Sequence, residues 1–120
     1  MLKILDGTEG NIIGVRASGE VTDKDYSDVL IPKLDIIFKE HNKARLLYYT
    51  DDKFTGWKME NTLHSNSFNL LHKDDYEKVA MVGAPRWVEL GIKLNSHLMK
   101  VEIKVFSSEE LKEAWDWIKS

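Results

Sequence analysis

The chain has no cysteine among its 120 residues. Disulfides, thiolate nucleophiles and cysteine zinc sites are thereby all excluded. It has only two prolines, Pro32 and Pro85, and no Pro/Gly/Ser-rich tract that would mark a linker. Residues 1–120 are therefore expected to form a single domain, long enough for one real core. Neither sign of charge dominates. Seventeen Lys and Arg against 20 Asp and Glu leave a formal net charge of −3, without the basic excess that nucleic-acid binding needs. No apolar run approaches the ~18 residues of a membrane span. Met1-Leu2-Lys3-Ile4-Leu5-Asp6 meets an acid too early for a secretory signal, so the expected location is cytoplasmic.

Catalytic and metal motifs are missing as well. There is no GxSxG elbow, Walker loop, GxGxxG or HExxH. The four histidines, His41, His64, His72 and His97, are scattered. His64 and His72 would sit about 80° apart on an ideal helix, a poor arrangement for a shared metal. Asp51-Asp52 lacks identifiable further oxygen ligands for Mg²⁺. Neither a metal nor a cofactor is expected.

What the chain does have is βα alternation. At 42% hydrophobic and 31% charged residues it has the composition of an ordinary soluble globular protein. Leu2–Leu5 and Asn11–Ala17 are apolar runs separated by Asp6-Gly7-Thr8-Glu9-Gly10, which fits a hairpin. Further strands are expected at 44–50, 79–83 and 101–106, each followed by a segment of helical period. Successive crossovers of this kind imply an α/β fold with a mixed, mainly parallel five-stranded sheet. Four principal helical segments are expected. The first starts at Thr22, where Thr22 and Asp25 resemble a capping box. It buries Tyr26, Val29 and Leu30, kinks or restarts at Pro32, and resumes with Leu34, Ile37 and Phe38. The last is capped by Ser107 and Glu110 and aligns Leu111, Ala114, Trp115 and Ile118 on one face. Leu46, Val79, Met81, Ile103, Leu111 and Trp115 are expected to be nearly buried. Ile103 alternates with Glu102 and Lys104, the pattern of an edge strand with one wet face.

A set of short pieces in fixed order carries a family resemblance. They are Asp25-Tyr26, Pro32 with Leu34, Arg45-Leu46-Leu47, Gly56-Trp57, Val82-Gly83, Trp87, Val105-Phe106 and Ala114-Trp115-Asp116-Trp117-Ile118. Together they cover nearly the whole chain. The chain resembles the SpoIIAA-like family, whose fold is akin to STAS domains (anti-sigma-factor antagonists) and to CRAL-TRIO lipid-binding domains. The resemblance implies a five-stranded sheet with an N-terminal hairpin strand followed by βα turns. Lys104 and Asn66 depart from the family's common Arg and Asp, so no role attached to those positions carries over.

In open α/β sheets, ligands bind beyond the carboxyl ends of the strands. That edge collects Asp51, Phe54 and Trp57 from one loop, Phe68 from the segment after it, and Arg86 and Trp87 from another loop. An apolar pocket among the four aromatics, with Asp51 and Arg86 at its mouth, is one expectation. Packing of Trp57 and Trp87 as anchors of their helices on the sheet is the other. STAS antagonists carry a phosphorylatable Ser at the helix start after this strand, where a phosphate meets helix N–H groups. Here the Asp-Ser-Ser-Gly type of motif is absent and Thr55 is the only hydroxyl near the expected helix start. Three functions follow. The first is a non-enzymatic binding or regulatory module taking a protein partner or a small apolar or anionic ligand. The second is a phosphoswitch at Thr55, and the third a small carboxylate-dependent hydrolase or isomerase. Short edge strands would also permit a homodimer.

Overall fold

The structure is a computed structural model and describes residues 1–58, 75–86 and 102–120. Strands β1 (Leu2–Ile4) and β2 (Ile12–Ala17) form the expected hairpin, paired antiparallel with Lys3 opposite Arg16. The chain then runs through β3 (Glu20–Thr22), a helical turn α1 (Asp23–Asp25), a π-helical turn (Tyr26–Leu30) and α2 (Ile31–His41). It continues into β4 (Ala44–Thr50), β5 (Gly56–Lys58), β6 (Tyr76–Val82), β7 (Glu102–Phe106) and α3 (Leu111–Lys119). The five-stranded sheet has the order β1-β2-β4-β6-β7, with every pair after the hairpin parallel. β7 is an edge strand, as its alternation of wet and dry residues requires.

Local sequence signals set the helix boundaries. Thr22 and Asp25 form a reciprocal capping box, as do Ser107 and Glu110. Pro32 does not break the first helical stretch. One turn before it the helix widens, so that the Ile31 N–H reaches the Tyr26 carbonyl. Pro32 then falls in the first turn of α2, and the widened turn before it lets the stretch continue without a Pro32 N–H. At the other end Asn42 takes a positive φ of 68° and donates its N–H to Phe38 O at 3.1 Å, a C-terminal cap.

The two faces of the sheet have separate cores. Ile13, Val15 and Ala17 of β2 and Tyr48 of β4 meet Leu34, Ile37 and Phe38 of α2. On the opposite face Leu47, Ala80, Val82 and Phe106 meet Ala114 and Ile118 of α3. Cations at the amino ends of two strands hold the carboxyl end of α3, matching the helix dipole. Arg45 Nη1 donates to the carbonyls of Ile118 and Ser120 at 3.0 Å, and Lys78 Nζ donates to Trp117 O at 3.2 Å. Trp117 lies at the rim of this core, near Phe106 at a ring separation of 6.0 Å, with Lys78 Nζ 5.1 Å from its centroid.

Two expectations are corrected. Leu46, Val79, Met81, Ile103, Leu111 and Trp115 are half-buried rather than nearly buried. Leu47, Ala80 and Val82, which point to the α3 side, are the buried positions of the central strands. Alternation identifies a face but not how far the covering helix reaches, and among the described elements α2 packs mainly over β2 and β4. Leu111 and Trp115 lie at the margin of α3's footprint, packed against its core rather than within it. The second correction concerns residues after Thr55. Instead of a helix, Gly56-Trp57-Lys58 forms β5, which pairs in parallel with β3 as a separate two-stranded ribbon. Of the four expected helical segments, the two between β4 and β7 fall largely outside the described residues.

Candidate functional site

β2, β4, β6 and β7 are parallel, so their carboxyl ends open on one edge. β1 runs the other way, which brings its first residues to the same edge. Backbone bonds tie this edge together. Asp51 N–H donates to Ala17 O at 3.1 Å, Thr55 N–H to Gly19 O at 2.9 Å, and Gly83 N–H to Phe106 O at 2.9 Å. Gly83 leaves β6 with φ +73°, and a Cβ there would lie 2.6 Å from the Thr50 carbonyl. Only glycine fits that turn without displacing β4.

The sequence-predicted residues scatter across this edge in different roles. Asp51 is buried, its side chain 1% exposed, and Arg16 Nε donates to its Oδ2 at 2.8 Å. The Lys53 N–H donates to its Oδ1 at 2.9 Å. Burial alone would push this carboxyl up. The Arg16 bond, the Ser18 hydroxyl and the Lys53 amide hold it below the usual carboxylate range instead. The cation facing Asp51 is therefore Arg16, not Arg86, which is exposed at the helical position after Pro85. In the sequence Arg16 is simply the one charged residue of the apolar run 11–17.

Phe54 and Trp57 do come together, edge to face with ring centroids 4.8 Å apart. They pack against the α2-side core. The Trp57 indole N–H donates to Tyr48 Oη at 3.0 Å, and Tyr48 Oη lies 3.1 Å from Tyr26 Oη. Burial raises both tyrosine pKa values. The indole thus has a hydrogen-bond partner inside the protein, as a core tryptophan requires. Thr55 is exposed, and because it precedes β5 it caps no helix. Phe68 and Trp87 lie outside the described residues, as do His64, His72 and His97. Among the described residues no group of three metal-ligating side chains occurs.

Among the described residues two recesses open on the carboxyl edge, on either side of the end of β4. One, of about 480 Å³, lies beyond β6 and β7 and is lined by Gly83, Ala84, Phe106, Ser107, Ser108 and Glu110. Glu110 there is held below its usual range by the Ser107 backbone N–H of the capping box. The other, of about 210 Å³, lies between β1, β2 and the turn after β4, lined by Met1, Lys3, Arg16, Ser18 and Lys53.

No curated protein matches the chain. Among solved structures it is similar to an uncharacterised protein of the DUF3478 family with a SpoIIAA-like fold, from Shewanella loihica PV-4. The two share 20% sequence identity at a TM-score of 0.70, over 98% of this chain and 92% of the other. At that identity the likeness shows the fold. A model of the SpoIIAA-like family matches residues 12–119, the span from β2 to the end of α3, and the chain belongs to that family.

Proposed function

We propose that this protein is a non-enzymatic binding module whose small ligand docks at the carboxyl edge of the sheet. The observation that carries this reading is the pair of recesses flanking the end of β4 on that edge. The state of Asp51 supports the non-enzymatic part. A carboxylate held ionised by three donors is a weak general base and is not available as an acid near neutral pH. The phosphoswitch reading loses its physical basis at Thr55. No helix starts at Thr55, since the next three residues form a strand, so a phosphate there meets no N–H groups of a helix following it. Among the described residues no helix is long and apolar enough to cross a membrane. The cytoplasmic placement proposed with this function rests on the sequence.

The test is amide chemical-shift mapping of the full ¹⁵N-labelled chain. The library contains phosphorylated metabolites, dicarboxylates, fatty acids and nucleotides. Saturable shifts at Gly19, Lys53, Gly83, Ser107 or Ser108 are the expected result. Shifts confined to the opposite end of the sheet, around Arg45, Lys78 and Ser120, would overturn the assignment, as would a library with no hits. Arg86→Ala should keep the thermal midpoint of the free protein, because Arg86 is exposed.

A further inference from the structure

We infer that the smaller recess is an anion site for a phosphate monoester, with Lys3, Arg16 and Lys53 as its cations. This rests on the carboxyl-edge reading and names the ligand class for one of its two recesses. The register of the hairpin places Lys3 directly opposite Arg16, on the same face of the sheet. Like charges in that position repel and cost stability. The turn after β4 brings Lys53 to the same recess. In a chain of net charge −3, three cations around one small cavity are a local excess that folding alone does not call for.

The available counter-charge is insufficient. Asp51 answers Arg16 from behind, at Nε, and no hydrogen bond within the described protein uses either Arg16 Nη group. Asp52, exposed in the same turn, attracts Arg16 more weakly and does not line the recess. The Met1 amino group on the rim is already engaged by Asp25 at 3.5 Å and by the carbonyls of Ser18 and Glu20. Against the lining cations Lys3, Arg16 and Lys53, the one buried carboxylate leaves an excess of about two positive charges. A phosphate monoester carries about −1.5 to −2 at neutral pH. Its oxygens suit a guanidinium presenting two free N–H edges beside two lysine point charges. A cavity of about 210 Å³ takes a phosphate and a few carbons and is below the usual range for drug-sized ligands.

Asp51 is a positioning residue in this site. Its bond to Nε restrains the guanidinium, which lowers the ordering cost of binding.

The experiment uses the full chain with three probes: inorganic phosphate, glycerol 3-phosphate and succinate, each followed by amide shifts and thermal midpoint. Both phosphates should bind saturably, shift Ser18, Gly19 and Lys53, and raise the midpoint. Binding should weaken with added salt. Lys3→Gln and Lys53→Gln should each reduce phosphate affinity about tenfold. Because they relieve repulsion, the same variants should keep or slightly raise the midpoint of the free protein. No saturable phosphate response, or a response unchanged by both variants, would overturn the site. An equal response to succinate would overturn the phosphate class. If the anions fail while other library members shift Gly83 and Ser107, the anion site is wrong and the carboxyl-edge function stands.

Discussion

Replacing Gly14 with alanine puts a methyl group where the Trp115 ring lies. An ideal Cβ on Gly14 would sit 2.5 Å from Trp115 Cη2 and 2.8 Å from Cζ2. Gly14 is buried in β2, with backbone that suits any residue, so the effect is one of volume and not of dihedral strain. The indole cannot stay in place, and one added carbon in a filled site typically costs about 1–3 kcal/mol. Trp115 is half-buried at the margin of α3 and can give way, so a cost of about 1–2 kcal/mol is expected. Trp115→Ala alone should cost about 2–3 kcal/mol, below the usual 3–5 for a fully buried large aromatic. The two changes share a contact and should not add. With alanine at 115 the Gly14 methyl has room, and Gly14→Ala should then cost under ~0.5 kcal/mol, a coupling of about 1 kcal/mol or more. Urea denaturation of the wild type, both single variants and the double variant measures this cycle. An equal cost of Gly14→Ala in both backgrounds would show that the indole does not require the glycine.

Asp51→Asn keeps the shape of the buried acceptor but removes the charge facing Arg16, and should cost roughly 1–3 kcal/mol at neutral pH by chemical denaturation. Asp51's pKa is depressed in the folded state. Its contribution is therefore complete above the unfolded carboxylate value of about 4 and fades as pH falls through the lower folded value. Below about pH 4 the wild type should lose stability more steeply than Asp51→Asn, and parallel curves would remove Asp51 as a source of acid sensitivity. Thr55→Asp should shift stability by less than ~0.5 kcal/mol, since the side chain is exposed and caps nothing. Phosphopeptide mapping from the native host should find Thr55 unmodified, and label there would restore the phosphoswitch.

Features controlled by near neighbours were legible in the sequence. Thr22 with Asp25 and Ser107 with Glu110 are three residues apart, and both pairs form the caps their spacing implies. The alternation in β7 correctly marks an edge strand. The β3–β5 ribbon was not legible, because strands of three residues have no measurable period. Trp57 looked like a helix anchor for the same reason. Its actual position follows from a hydrogen bond to Tyr48 and from pairing of β5 with β3. The Arg16–Asp51 pair spans 35 residues. Nothing local distinguishes Arg16 from any other charged residue on the wet face of a strand. The parallel register of β2 and β4 puts the end of one beside the end of the other, and that long-range fact creates the pair. The resemblance supplied the sheet but not this contact.

That pair also separates the carboxyl edge from the rest of the core. A buried ion pair contributes little net stability, and apolar residues of similar volume often replace one without loss. The Asp51 side chain is 1% exposed while its partner Arg16 remains 47% exposed. If stability alone were at stake, an apolar residue at 51 would serve as well and would leave no cation anchored at the surface. The Tyr26–Tyr48–Trp57 cluster lies in the α2-side core and spends its polar atoms on one another. Arg16 spends only its Nε inward. An interior carboxylate, the Ser18 hydroxyl and Lys53 amide that bond to it, and a half-exposed guanidinium together form a bracket that holds a charge at the mouth of a recess. Of the sequence-predicted residues described in the structure, Asp51 is the one whose burial makes better sense for orienting a partner than for packing.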